Sequence, residues 1–279
     1  MALSVVDLYK TVLPQTNCRD CGFPTCLAFA GKVVSEQYPL KNCPHIPPTL
    51  LATSEAELAA QYAKGKWLRR DLAADALKWA KERAASLNLA DLPARLGGEL
   101  VAGANGPELR LPYFTGFLRI TGTEIRREEG GELGRYEQVF ILNHLAQGGW
   151  SKPSGVWKGF IEFPNTVSKA VTMGKAVEKP LAACFSGKIE ELRKRAEAVG
   201  ATDLTFADSS AQLCLLLTPL PRVPVALLFW DGGSPGQTDG AFAAQAKLMF
   251  DETITEHLDI ESIVFLAERI RQLLCGDAN

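Results

Sequence analysis

Long apolar runs are absent from this chain of 279 residues. Nothing in it approaches the roughly 20 apolar residues of a membrane-spanning helix, and its most apolar segments, 213–217 and 223–230, are strand-sized. An excess of one charge is missing too. Thirty basic and 32 acidic side chains leave a net charge of −2, which argues against a nucleic-acid partner and against an anionic membrane surface. The amino-terminal MALSVVDLYK has neither the basic stretch nor the long apolar core of a secretory signal, so a cytoplasmic protein is expected. There are only three histidines, and none follows a C-x-x-C pair as haem attachment requires. The glycine pieces 148–149 and 231–233 lack Walker and dinucleotide patterns and are expected to be turns. No Ser-His-Asp or Cys-His set stands out. Catalytic residues are therefore unassigned, and whether the chain is an enzyme stays open.

What is present is concentrated at one end. Four of the seven cysteines form the run Cys18-x2-Cys21-x4-Cys26-x16-Cys43, followed at once by Pro44. Three thiols within nine positions, and a fourth returning from beyond a predicted helix, make a four-thiolate cage for a [4Fe–4S] cluster or a structural zinc. Zinc ribbons present two separated C-x2-C knuckles and this chain has one, so the three-plus-one spacing favours the cluster. Gly22 is expected to let the loop approach a bulky anion and take up a left-handed conformation. Cys26 is expected in the first turn of a helix, where free N–H groups favour a thiolate. Phe23, Leu27 and Phe29 are expected to exclude water. A secreted disulfide framework suits neither an odd total of seven cysteines nor four thiols so close in sequence. Cys184 and Cys214 lie in apolar surroundings and read as small core residues, and Cys275 is given no role.

Periodicity predicts a short helix over 3–13 and a second over 26–38, with Leu27, Ala30, Val34 and Tyr38 on its packing face. The stretch 45–48 (His-Ile-Pro-Pro) reads as a stiff linker. Helix continues from Ser54, capped with Glu57, to about 87, with a break at Gly65. Short strands are expected at 99–101, 108–111, 116–120, 212–217 and 223–230, and helices at 136–145, 190–199 and 260–274. The fold class is therefore α+β: a small helical four-cysteine module followed by a larger mixed domain with antiparallel strands. The expected boundaries are 1–48 for the cluster module, 49–90 for a helical linker region and 91–279 for the α+β domain.

The stretch LPQTNCRDCGFPTCLAFAGKVVSEQYPLKNCP, residues 13–44, resembles the [4Fe–4S] module that opens the large subunit of the corrinoid iron–sulfur protein, a partner of carbon monoxide dehydrogenase/acetyl-CoA synthase. It is also similar to the four-cysteine module of the Rnf complex B subunit. The resemblance implies a low-potential one-electron cluster ligated by Cys18, Cys21, Cys26 and Cys43, with Arg19 and Asp20 adding charges inside the loop. Beyond about residue 45 there is neither a corrinoid barrel nor a ferredoxin motif. There the segments PLAACF, LLFW and MFDETITEHLDIESIVFLAERI resemble a family of Fe–S proteins from anaerobes in which such a module is fused to a domain of unknown function. The expected role is electron transfer to a redox partner protein or a corrinoid-type acceptor. The alternatives are a redox-fed or redox-sensing enzyme with its active site in the carboxy-terminal domain, or a cluster or metal carrier.

Other side chains are weaker candidates for chemistry. His45 reads as a surface group beside the ligands. His144 and His257 read as structural, each with an outside claim to bind a second cofactor. The acidic set Asp251, Glu252, Glu256, Asp259 and Glu261 reads as a solvated helix face and cap, and Trp150 and Trp157 as half-buried core residues.

Overall fold

The computed structural model describes residues 3–64, 72–122, 124–206, 209–232 and 243–276. Two compact units divide the chain, Met1–Asp75 and Ala76–Asn279, each with its own apolar core.

The first unit is helical. Ser4 caps α1 (Val5–Asp7) by accepting from the Asp7 N–H, while Asp7 accepts from the Ser4 N–H. The helix widens into a π turn over Leu8–Val12. After the cysteine loop, α2 (Cys26–Glu36) runs until Gln37 takes a left-handed conformation, two residues before Pro39. A 3-10 turn, Leu40–Asn42, delivers Cys43. The buried side of α2 carries Phe29, Ala30, Val33 and Val34 against Leu8, Val12 and Leu13. Leu27, expected on that side, is 47% exposed, because a helix starting at Cys26 turns it outward. Helix α3 (Pro48–Ala63) begins earlier than expected. Pro48 starts it, Ile46 packs in the core although the stretch reads as a stiff linker, and Ser54 is buried in the helix interior instead of capping it. Gly65, the expected break, lies outside the described residues.

Helices α4 (Leu72–Ala84) and α5 (Leu92–Leu96) lead to a four-stranded antiparallel meander of β1 (Glu99–Gly103), β2 (Gly106–Tyr113), β3 (Gly116–Thr121) and β4 (Glu124–Arg127). One face of the meander buries Leu109, Leu111, Leu118 and Ile120. The other aligns Glu99, Arg110, Arg119 and Arg126 across neighbouring strands. Helix α6 (Arg135–Gln147) follows and is buried nearly all round from Val139 to Leu145. Then come β5 (Trp157–Gly159), α7 (Val167–Thr172), a π turn and α8 (Lys179–Phe185), α9 (Ile189–Ala198) and β6 (Thr202–Asp203). The remaining strands, β7 (Leu213–Leu220), β8 (Val223–Trp230) and β9 (Gln245–Asp251), complete a second antiparallel sheet in the order β5-β9-β8-β7-β6. Strand β8 is central and buried along almost its whole length, which is why it reads as a continuous apolar run. The chain ends in α10 (Ile254–His257) and α11 (Ile260–Cys275), whose buried stripe packs beside α6 and α8. The fold class is α+β, as expected. Strand β9, α7 and α8 are additions to the elements expected from periodicity. The expected turn at 231–233 is described only as far as Gly232.

Candidate metal centre

The cysteine loop is built from left-handed residues. Gln15, Asn17, Arg19 and Gly22 have φ of 60°, 52°, 70° and 82°, a sequence of sharp reversals that curls the chain. At Gly22 no protein atom lies within 4 Å of where a Cβ would stand, so conformation, not crowding within the chain, demands glycine. The Asn17 side chain closes the loop by accepting the Cys26 N–H at 2.8 Å, and Thr25 accepts the Ala28 N–H at 3.1 Å. Two of the N–H groups expected to face a thiolate at the start of α2 are thus taken by the protein's own side chains.

The four thiols converge from this loop, the first turn of α2 and the turn before α3. Cys26 and Cys43 are buried, Cys21 is half-buried and Cys18 is exposed. Burial pushes the Cys43 thiol up. The backbone N–H of His45 opposes this by donating to its sulfur, and the neighbouring Cys21, Cys26 and Cys18 push it up further. Phe23, Phe29 and Tyr38 form an edge-on aromatic cluster in the same unit, with ring centroids 5.3–6.1 Å apart. Beside Cys18, His45 Nε2 meets Asp20 Oδ2 at 2.6 Å. His45, and after it the Cys18 thiol, hold the Asp20 carboxyl below its usual value by hydrogen bonding. Among the described residues, Cys18, Asp20 and His45 are the one trio of such groups whose ligand atoms lie within 4.8 Å of one another. No three of the four thiols approach that closely.

In the second unit His144 and His257 come together in the core, fully buried, with ring centroids 5.9 Å apart. His144 Nδ1 faces the His257 carbonyl and His257 Nε2 faces the Ser151 carbonyl, so each of these nitrogens carries the proton. His144 Nε2 and His257 Nδ1 are left as buried lone pairs without a protein partner. Two arginines that sequence reasoning passed over tie neighbouring helix and loop carbonyls together. Arg95 donates to the carbonyls of Leu145 and Gly148, and Arg222 to those of Ala94 and Trp150. The acidic set divides. Asp259 caps α11, and Glu252 and Glu261 pair with Lys158 and Lys169. Asp251 is wholly buried, not solvated. Trp150, expected to be half-buried, is 67% exposed, because only its carbonyl is tied down. Trp157 is half-buried and tilts against Phe206.

The fold and the site together define an α+β protein with a small four-cysteine domain at its amino-terminal end. Residues 13–45 match the family described as "Putative Fe-S cluster". Residues 88–272, more than half of the chain, match the family described as a domain of unknown function, DUF3786, and the chain belongs to that family. Three curated relatives are similar to short stretches of it. The acetyl-CoA decarbonylase/synthase complex subunit gamma of Methanocaldococcus jannaschii is 45% identical over 42 residues, 15% of this chain and 8% of that one. The corrinoid/iron-sulfur protein large subunit of Moorella thermoacetica is 39% identical over 64 residues, 23% and 14%. A component of the proton-translocating ferredoxin:NAD(+) oxidoreductase complex of Clostridium ljungdahlii, its B subunit, is 38% identical over 60 residues, 22% and 19%. The chain thus spans less than a fifth of the length of each. No solved structure matches it. No helix among the described residues is long and apolar enough to cross a membrane.

Proposed function

We propose that Cys18, Cys21, Cys26 and Cys43 hold a [4Fe–4S] cluster, and that the protein passes single electrons to a partner protein or a corrinoid-type acceptor in the cytoplasm. The observation that carries this reading is the three-plus-one spacing of four cysteines, with Cys43 brought within electrostatic reach of Cys21, Cys26 and Cys18, inside the stretch that matches the Fe-S cluster family. A zinc ribbon would present two separated C-x2-C pairs, and this chain has one. When bound, such a cluster supplies one-electron chemistry near the protein surface. The residues do the rest. Buried Cys26 and Cys43 anchor it, Phe29 and its ring neighbours limit water on one side, and the His45 backbone N–H offers a hydrogen bond to the Cys43 sulfur. Exposed Cys18 marks the side from which a partner approaches. The relatives' names, subunits of acetyl-CoA decarbonylase/synthase and ferredoxin oxidoreductase complexes, support a role beside other redox proteins.

Strictly anaerobic purification tests the proposal, with iron, sulfide and zinc counted and EPR recorded after dithionite reduction. About four irons and four sulfides per chain, with a reduced-cluster signal lost in Cys26→Ser and Cys43→Ser, is the expected result. One zinc with no sulfide would overturn it.

A further inference from the structure

We infer that Cys18, Asp20 and His45 form a site for a single divalent transition-metal ion, distinct from the four-thiol cage but sharing the Cys18 thiol with it. Three different donors converge here: a sulfur, a carboxylate oxygen and an imidazole nitrogen, all within 4.8 Å of one another. Bonds of about 2.0–2.3 Å to such donors separate them by roughly 3.3–3.8 Å around a tetrahedral ion, so only small side-chain adjustments are needed. The mixed set suits borderline ions such as Fe²⁺, Co²⁺ and Zn²⁺ over the harder Mg²⁺ and Ca²⁺.

The set is held in place before any ion arrives. His45 Nε2 stands 2.6 Å from Asp20 Oδ2, and the Cys18 thiol is hydrogen-bonded to the same carboxylate. The backbone between them is turned by left-handed Arg19 and closed by the Gly22 N–H donating to the Arg19 carbonyl at 2.8 Å. All three side chains are exposed, so water can complete the coordination and an ion has a direct path in. Binding at His45 Nε2 leaves the neutral ring with its one proton on Nδ1, and the Cys18 thiol proton goes to solvent as the metal–sulfur bond forms. No change of oxidation state is involved.

The shared thiol couples this occupancy to that of the cluster, a consequence that rests on the cluster reading. A chain awaiting its cluster would then hold one ion at the rim of the loop, on the exposed Cys18, with the buried thiols of Cys26 and Cys43 still free.

Cobalt(II) titration of the full chain, freed of iron by chelation under reducing, anaerobic conditions, tests the site. Expected is one Co²⁺ per chain with visible bands of a single-thiolate, mixed N/O/S environment. His45→Ala and Asp20→Ala should each weaken binding about tenfold or more, while Cys26→Ser and Cys43→Ser bind as the parent does. A four-thiolate spectrum lost equally in Cys26→Ser would overturn the inference. So would affinity unchanged in both His45→Ala and Asp20→Ala, or no uptake by a parent chain whose circular dichroism shows it folded. Iron and sulfide incorporation, measured on the same proteins, separates the two readings. Cobalt binding at the trio without a four-iron cluster sinks only the proposed function, and a cluster without cobalt binding sinks only this site.

Discussion

Nδ1 of His144 donates to the backbone carbonyl of His257 across 3.2 Å, joining two histidines 113 positions apart in a fully buried pair. Burial lowers the His144 pKa to about 3, although the bond to the His257 carbonyl works the other way. His257 is also lowered, again mainly by burial. An unfolded chain protonates histidine near 6.5. Between that pH and about 3 the unfolded state therefore binds a proton that the native state refuses at His144. The stability this residue contributes is complete above pH 6.5 and declines by about 1.4 kcal/mol per pH unit as the pH falls through the window. Urea unfolding at pH 7.5, 6 and 5 should show the decline. In His144→Phe the pH slope should shrink by about one proton, and an unchanged slope would refute the assignment.

Asp251 organises the turn between β9 and α10 from a position with no solvent exposure. It accepts from the N–H groups of Ser154, Gly155 and Thr253 and from the Thr253 hydroxyl. Burial pushes its carboxyl up, but the bonds from Thr253, Ser154 and Gly155 outweigh that and leave it below its ordinary value. Its contribution is present above the unfolded value near 3.9 and is lost as the pH falls through the lower native one. Asp251→Ala strands several buried donors and should cost about 2–4 kcal/mol at neutral pH, with Asp251→Asn costing less. Denaturant midpoints measure both, and equal losses would count against the network.

Glu137 is the second buried carboxylate with a full set of partners. It accepts from Tyr113 at 2.6 Å, Arg127 at 2.5 Å and the Gly134 N–H at 3.1 Å, and Arg269 stands at 3.2 Å. Burial, reinforced by the nearby carboxylate, raises the Tyr113 phenol well above its usual range. Removing the carboxylate in Glu137→Ala leaves cationic partners uncompensated and should cost about 3–5 kcal/mol. A measured loss below about 1 kcal/mol would show that water serves these groups equally well.

Asn17 fixes the cysteine loop in two ways, through its left-handed φ of 52° and its 2.8 Å bond to the Cys26 N–H. Asn17→Gly keeps the first and loses the second, while Asn17→Ala loses both. With about 1 kcal/mol for the bond and a similar amount for the conformation, cluster loss to a chelator should be fastest in Asn17→Ala, intermediate in Asn17→Gly and slowest in the parent. Equal lifetimes for all three would remove Asn17 from any positioning role.

The cysteine module was legible because its signal is local. Spacing, glycine and proline positions and a helix start lie within 32 consecutive residues, 13–44. Strands β7 and β8 and helix α11 were legible for a similar reason, since apolar periodicity reports one element at a time. Strand β9 carries an equally readable alternation, with Ala246, Leu248 and Phe250 turned inward, but its 7 residues beside charged segments drew no strand assignment. Leu27 and Trp150 misled because an apolar side chain announces only that it favours burial. Whether it is buried depends on the neighbours that pack over it.

By itself the sequence determined that this chain carries a four-cysteine module ahead of an α+β domain, because side-chain period and cysteine spacing act over a few residues. Tertiary structure alone decided which groups meet. It brought His45 to Asp20 across 25 positions and His144 to His257 across 113. It also buried Asp251 and Glu137 and left Cys18 at the surface. Those pairings depend on how helices and sheets pack, through contacts between residues far apart in the chain, and no local pattern encodes which distant polar group will satisfy a buried one.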